Sequence, residues 1–307
     1  MVLMYIIEFV GMVRFVLLRR GGILMKIAVI SDIHGNYQAL NRCLEDAIEQ
    51  GVDAYIWLGD YLGEFPYPQN TMKTLHDMQT KYTCYFLRGN KEDYWINRRN
   101  DIYCDWKGGN HSIMAMIYTY ENLKAEDIDF FESLPISQTI CFDGMEPILV
   151  CHGTPFANNK KLLPDDETLK EVIDKCSEKY IVCGHTHSQG LVFDGEKKII
   201  NAGAVGVPLK SPQRTQYLIL ESDGKEWNIS FQSLEYDICN VIEDIHKSGL
   251  WDMSPYWCKI TEHLLYTGEI SHGTVLNHVM RLNEYKEPWY NIAPVYWEKA
   301  LLELGIM

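Results

Sequence analysis

Five short apolar runs in this sequence each end in side chains that can hold a cation or meet a phosphate. Ile27 to Ile30 runs into Asp32-Ile33-His34-Gly35-Asn36, and Ala54 to Leu58 into Gly59-Asp60. Cys84 to Leu87 runs into Arg88-Gly89-Asn90, Ile148 to Cys151 into His152, and Tyr180 to Cys183 into Gly184-His185-Thr186-His187. A single Asp, Asn or His at a strand end is ordinarily a cap, a turn former or a satisfied surface group. Asp32, His34, Asp60, Asn90, His152, His185 and His187, each following such a run, point together to one site. Oxygen ligands mixed with imidazole nitrogen suit divalent Mn, Fe, Co, Ni or Zn, whereas an all-oxygen set would suit Mg or Ca. No Cys stands among these positions and no CxxC pair occurs, which disfavours a structural zinc site.

The runs that carry these residues read as buried strands, short and rich in β-branched side chains. After the first, Leu40, Leu44 and Ile48 recur every fourth residue on one helical face, and Gly51 marks the stop. Strands alternating with helices predict an α/β fold, in which ligands bind beyond the carboxyl ends of the strands. A helical insertion is expected over about residues 94–135, with Tyr94, Trp95, Tyr103, Trp106 and the pair Arg98-Arg99. The arginines could hold a phosphate while a ring stacks on a base, although core packing is the commoner use of such aromatics. A strand pair follows at Gln216 to Leu220 and Trp227 to Phe231. From Asp237 the chain reads as helical, with Val275, Val279 and Leu282 at helical spacing, and Trp297, Leu301 and Leu304 after Pro294. His246, His263, His272 and His278 in this tail show no ligand spacing.

With 307 residues and 47% apolar composition the chain can bury a full core without staples. Its formal charge of −14 argues against a nucleic-acid polymer as partner, because phosphate backbones demand clustered Lys and Arg. A small anion can still bind where metal ions supply positive charge. Nine cysteines leave one over if paired, so reduced thiols in a cytoplasm are the simpler reading, with Cys84, Cys151 and Cys183 as core filler. The first 24 residues are apolar but broken by Glu8, Arg14, Arg19 and Arg20, and suit neither a membrane span nor a secretory signal. Purine-rich codons for Arg19-Arg20-Gly21-Gly22 would resemble a bacterial ribosome-binding site, so translation is expected to start at Met25 and residues 1–24 to be an upstream extension.

In their order, Asp-x-His, Gly-Asp, Gly-Asn, His and Gly-His-x-His resemble the motifs of the calcineurin-like metallophosphoesterase superfamily, over about Met25 to Val207. The resemblance implies two mixed β-sheets packed as a sandwich and flanked by helices, here a domain at 25–236 with the insertion, followed by a helical extension at 237–307. It implies two divalent metal ions, the first held by Asp32, His34, Asp60 and His187, the second by Asp60, Asn90, His152 and His185. Asp60 would bridge them, and Asp60, Asn90 and His152 would stand closest to the chemistry, attack by a metal-bridging hydroxide. Asn201-Ala202-Gly203-Ala204-Val205-Gly206 resembles the Asn-Pro-Gly-Ser-Val-Gly segment of the family's small prokaryotic phosphodiesterases.

Two departures carry information. Asp60 is followed by Tyr61-Leu62-Gly63-Glu64-Phe65 rather than the Asp-Arg-Gly of the protein Ser/Thr phosphatases. The stretch from Gly59 to Asn70 is more similar to the bacterial phosphodiesterase and diadenosine-tetraphosphatase-like group. Lys91 follows Asn90 where many relatives have the His that protonates the leaving group, and it reads either as a solvated charge or, like Arg98 and Arg99, as a phosphate contact. His111 is a remote substitute for that acid. The expectation is a cytoplasmic hydrolase, manganese among its candidate metals, acting on small nucleotide-like phosphodiesters or phosphoanhydrides, with no membrane partner and with homo-oligomer formation left open. The alternative is a non-catalytic interaction scaffold of the same fold.

Overall fold

A computed structural model describes residues 25–102, 106, 110–164, 166–222 and 224–307 in full, and of residues 1–24 only the backbone pairing of three strands. The strands in chain order are β1 Leu3–Phe9, β2 Met12–Arg19, β3 Gly22–Ile23, β4 Lys26–Ile30, β5 Ala54–Trp57 and β6 Thr83–Phe86. They continue as β7 Ser137–Ile140, β8 Ile148–Cys151, β9 Tyr180–Cys183, β10 Gly190–Asp194, β11 Lys197–Asn201, β12 Arg214–Ser222 and β13 Trp227–Glu235. Strand β2 pairs antiparallel with β1 on one side and with β3 on the other. The expected translation start concerns this segment, whose side chains lie outside the described residues, as do Tyr103 and Cys104.

The other ten strands form two mixed sheets in the orders β13-β12-β4-β5-β6 and β10-β11-β9-β8-β7. In each sheet three adjacent strands run parallel, β4-β5-β6 and β11-β9-β8, and the remaining neighbours pair antiparallel. Alternation along each strand divides its side chains between two faces. Ile27, Val29, Ala54 and Ile56 of one sheet join Ile148, Val150, Tyr180 and Val182 of the other in one core between the sheets. The opposite parity, Ala28, Ile30, Tyr55 and Trp57, packs against the helix Tyr37–Glu49. On the second sheet Leu149, Cys151, Ile181 and Cys183 pack on Leu169 and Val172 of the helix Glu167–Lys175. The result is a sandwich with helices on both outer faces. Residues that must be apolar on both faces explain why the parallel strands read as unbroken hydrophobic runs.

One expected helix face needs correction. The helix Tyr37–Glu49 buries Leu40, Cys43, Leu44 and Ala47, whereas Ile48 is 49% exposed. A repeat of 3.6 residues carries the buried stripe from Leu44 to Ala47 rather than to Ile48.

Helices Asn90–Arg99, His111–Glu121 and Ala125–Ser133 lie between β6 and β7. Helices Ile238–Lys247, Leu250–Met253, Pro255–Thr267, His272–Leu282 and Pro294–Glu303 follow β13, the last two joined through a 3-10 turn at Trp289–Asn291. Val275, Val279, Trp297 and Leu301 are fully buried in a core of their own, where Leu282 and Leu304 are partly covered. That core also takes in Ala115 and Tyr118 of the helix His111–Glu121, so the tail packs on the insertion. Among the described residues no helix is long and apolar enough to cross a membrane.

Candidate metal centre

The carboxyl ends of β4, β5, β8 and β9 meet through their main chains. Asp32 N donates to Gly59 O (3.1 Å), His34 N to Asp60 O (2.9 Å) and Gly184 N to His152 O (2.8 Å). Such contacts require backbones to touch, and glycine permits it at Gly59, where φ is +101° and a Cβ would stand 2.7 Å from Gly89 Cα. Asp32, His34, Asp60, His185 and His187 all have φ between +53° and +65°, a left-handed conformation uncommon outside glycine. Five such residues in one cluster mark it as a place where the surrounding structure enforces local strain.

Two groups of ligating atoms result: Asp32, His34 and His187, and Asp60, His152 and His185, with the atoms of each group within 4.8 Å of one another. Asp60 lies between them. Its Oδ2 is 3.8 Å from His34 Nε2 and its Oδ1 is 3.4 Å from His152 Nε2. Asp32 Oδ2 accepts from the Ser31 hydroxyl (2.5 Å) and from His185 N (2.9 Å), which turns Oδ1 toward the cluster, 3.3 Å from His187 Nε2. His152 Nδ1 lies 3.0 Å from the Leu58 carbonyl and must donate to it, which turns Nε2 toward Asp60. His34 Nδ1 faces the Glu64 carboxylate at ion-pair distance, leaving Nε2 to the cluster.

The donor set fits a cation. Asp32 Oδ1, Asn90 Oδ1 and His152 Nε2 are buried and have no hydrogen-bond partner among the described residues. Buried polar atoms left unpaired are costly, and Asp32 Oδ1 and His152 Nε2, 3.9 Å apart, would both be satisfied by a cation between them. The electrostatics agree. Burial would raise the Asp60 carboxyl, but His152 and His34 outweigh it and bring it down to about 2. Burial would lower the two imidazoles, yet Glu64, Asp32 and Asp60 raise His34 to about 10, and Asp60 and Asp32 raise His152 to about 9. Protons thus serve as the counter-charge, and a divalent cation would displace them.

Two carboxylates in this site carry no motif in the sequence. Glu92, fully buried, accepts from Gly89 N (2.7 Å), Asp60 N (2.9 Å) and Tyr61 N (2.8 Å), so it ties the end of β5 to the turn that carries Asn90. Glu64, 3% exposed, takes His34 on one oxygen and Lys91 Nζ on the other at 2.7 Å. The only sequence signals were an acid at the third position of the Asn90 helix, where it can cap, and an acid inside an apolar stretch. Lys91 is therefore part of an ion pair, with 16% of its side chain exposed, rather than a solvated charge. Asn201 Nδ2 donates to Gly184 O (2.6 Å) and Thr186 Oγ1 (3.0 Å), which gives the Asn201–Gly206 segment the task of holding the loop with His185 and His187.

Arg98 and Arg99 are committed elsewhere. Arg99 pairs with Asp129 (2.5 Å) and Glu132, and the Arg98 guanidinium lies over the rings of Trp106 and Tyr120, 5.5 and 6.0 Å from their centroids. Trp95 and Trp106 meet edge to face in the core, as packing aromatics do. His111 of the insertion lies against Tyr256 of the helical tail, their ring centroids 4.4 Å apart and tilted by 46°.

Residues 25–225 match the calcineurin-like phosphoesterase superfamily domain, and the chain belongs to that superfamily, one of metal-dependent hydrolases of phosphate esters. An uncharacterized protein of Methanocaldococcus jannaschii is 29% identical over 248 residues, 75% of this chain and 94% of that one. In fold the chain is similar to a hypothetical protein of Pyrococcus horikoshii, with a TM-score of 0.66 and 19% identity over 80% of this chain and all of that one. A metallophosphoesterase from Sphaerobacter thermophilus shares the fold to the same coverage, with a TM-score of 0.61 and 23% identity.

Proposed function

We propose that this protein hydrolyses small phosphodiesters or phosphoanhydrides of nucleotide type, using two divalent metal ions held by Asp32, His34, Asp60, Asn90, His152, His185 and His187. The observation that carries this reading is Asp60, buried between two facing ligand groups with one carboxylate oxygen toward each. Asp32, His34 and His187 would hold one ion, His152, His185 and Asn90 the other, and Asp60 both. Bound there, the ions would neutralise charge on the phosphoryl oxygens and acidify water toward neutral pH.

The chain's own residues do the positioning. Glu64 orients His34, Leu58 O orients His152, and Glu92 fixes the amides around Asp60. Manganese is a candidate among Mn, Fe, Co, Ni and Zn, since imidazole and carboxylate ligands serve all of them. A cytoplasmic location belongs to the same reading, supported by the eight described cysteines, all free thiols.

The test is a metal analysis of the purified protein coupled to hydrolysis of bis(p-nitrophenyl) phosphate with each metal added in turn. Two metal equivalents with metal-dependent turnover are expected. Protein that binds no metal and hydrolyses none of a panel of phosphate esters would favour a scaffold instead.

A further inference from the structure

A cavity of about 160 Å³ lies beside the ligand cluster, lined by Tyr94, Trp257, Leu276 and Trp289 together with the Glu64–Lys91 pair. Several parts of the chain build it, with Gly63 and Glu64 from the loop after β5 and Ser112, Ala115 and Met116 from the helix His111–Glu121. Lys91 and Tyr94 come from the helix Asn90–Arg99, Trp257 and Leu276 from two helices of the tail, and Trp289 from the 3-10 turn between tail helices. Asn110 Nδ2 donates to the Trp289 carbonyl (2.8 Å), which pins that turn to the insertion. Tyr94 and Trp289 rings stand 6.0 Å apart at 58°. The walls are therefore held from both sides and rich in aromatic faces.

We propose that this cavity binds a flat aromatic ring of the phosphorylated substrate. Its size is close to the engineered apolar cavity of about 150 Å³ that accepts benzene, so one six-membered ring fits. Its composition, the rings of Tyr94, Trp257 and Trp289 with the apolar Ala115, Met116 and Leu276, the Ser112 hydroxyl and one charged pair, is that of a site which takes a ring on an apolar surface and orients it by a few polar atoms. Its place relative to the cluster sets the rest. Lys91 N donates to Asp60 Oδ1 (2.8 Å), and Lys91 also lines the cavity. One residue thus touches both cluster and cavity, so a ring in the cavity and a phosphate at the cluster can belong to one small molecule. The helical tail thereby gains a role in substrate choice, because without it Trp257, Leu276 and Trp289 are absent from the wall.

The inference rests on the phosphoesterase reading for the phosphate end only, and its test measures binding rather than turnover. Calorimetry on the manganese-loaded full-length protein would compare phenylphosphonate with methylphosphonate, and uridine 5′-monophosphate with ribose 5-phosphate. The ring-bearing member of at least one pair should bind about tenfold tighter, as stacking in an aromatic site provides. Separation in the first pair alone assigns the cavity to aryl esters; separation in the second assigns it to a nucleobase. Leu276→Trp should fill the cavity and erase the preference in a protein that melts like the parent, and Trp289→Ala should reduce it about fivefold. Equal binding within both pairs, or a preference that survives Leu276→Trp, would overturn the proposal. Ring preference without hydrolysis of any ester would instead remove the phosphoesterase reading and leave the cavity's assignment standing.

Discussion

Lys91 Nζ lies 2.7 Å from Glu64 Oε1, both side chains largely withdrawn from solvent. The lysine that follows Asn90 is thus the counter-charge of a buried carboxylate that also holds His34. Removing one member of such a pair leaves the other uncompensated. Lys91→Met should lower stability by about 2–3 kcal/mol, somewhat less than for a fully enclosed pair. Combining it with Glu64→Gln should recover part of the loss. Denaturant unfolding of the single and double variants measures this, and a neutral Lys91→Met would mean the pair does not persist in solution.

Glu92 accepts three main-chain amides, and no other side chain of the same length can do so. In Glu92→Gln the amide nitrogen would confront a backbone N–H, so the isosteric change should be almost as damaging as Glu92→Ala. Both should weaken metal binding about 10–100-fold, as loss of a supporting shell does. Titration with manganese followed by calorimetry would decide it, and a Gln variant with parental affinity would show that the amides find other acceptors.

Asp60→Asn should lose metal and turnover more completely than Asn90→Ala. In the proposed arrangement Asp60 serves both ions, and a carboxamide offers one oxygen where two are needed, whereas Asn90 serves one ion. Metal content and hydrolysis measured side by side test this. Parental values in Asp60→Asn would remove the two-ion assignment.

His272 gives a pH dependence. Burial lowers its imidazole to about 3; Glu64 acts in the opposite direction, and Lys91, His34 and His187 reinforce the lowering. Its ring lies against Trp257, centroids 4.5 Å apart and tilted by 42°, and its Nε2 lies 2.9 Å from Thr261 Oγ1. In the unfolded chain the group takes up a proton near pH 6.5, and in the folded protein only near pH 3. The unfolded state therefore binds more protons between those values, and stability is full above about pH 6.5 and falls as the pH drops toward 3. His272→Gln should flatten the part of that decline between pH 6 and about 5, read as the change in melting temperature. An unchanged slope would assign the decline to other groups.

The ligand residues were legible because each ends a strand whose own composition announces it. Ile27 to Ile30 and Tyr180 to Cys183 must be buried on both faces, and the polar residues directly after them must therefore lie at a sheet edge. Long-range closure was not legible. Nothing near Glu92 in sequence says that it will meet the amide of Asp60, 32 residues away, and nothing near His272 says that it will come under the influence of Glu64. The left-handed conformations of Asp32, His34, Asp60, His185 and His187 likewise go with the meeting of strand ends, and Asp and His tolerate that region better than most residues. Ile48 was misplaced for a local reason, a repeat of four taken where the helix runs at 3.6.

The last expectation concerns which esters are cleaved. A leaving alkoxide needs a proton, and Lys91 is badly placed to give one. Burial would lower its ammonium, but Glu64 and Asp60 outweigh that and raise it above the ordinary lysine value, so the proton stays on nitrogen. A phosphate leaving group, with a second pKa of about 6, departs without such help. Phosphoanhydrides and activated aryl diesters should therefore be hydrolysed faster than unactivated alkyl monoesters. Turnover measured across a series of aryl and alkyl phosphate esters should fall steeply as the leaving-group pKa rises. A flat dependence would mean that another group protonates the leaving oxygen, and Lys91→Met, by leaving or abolishing that flatness, would show whether the group is Lys91 after all.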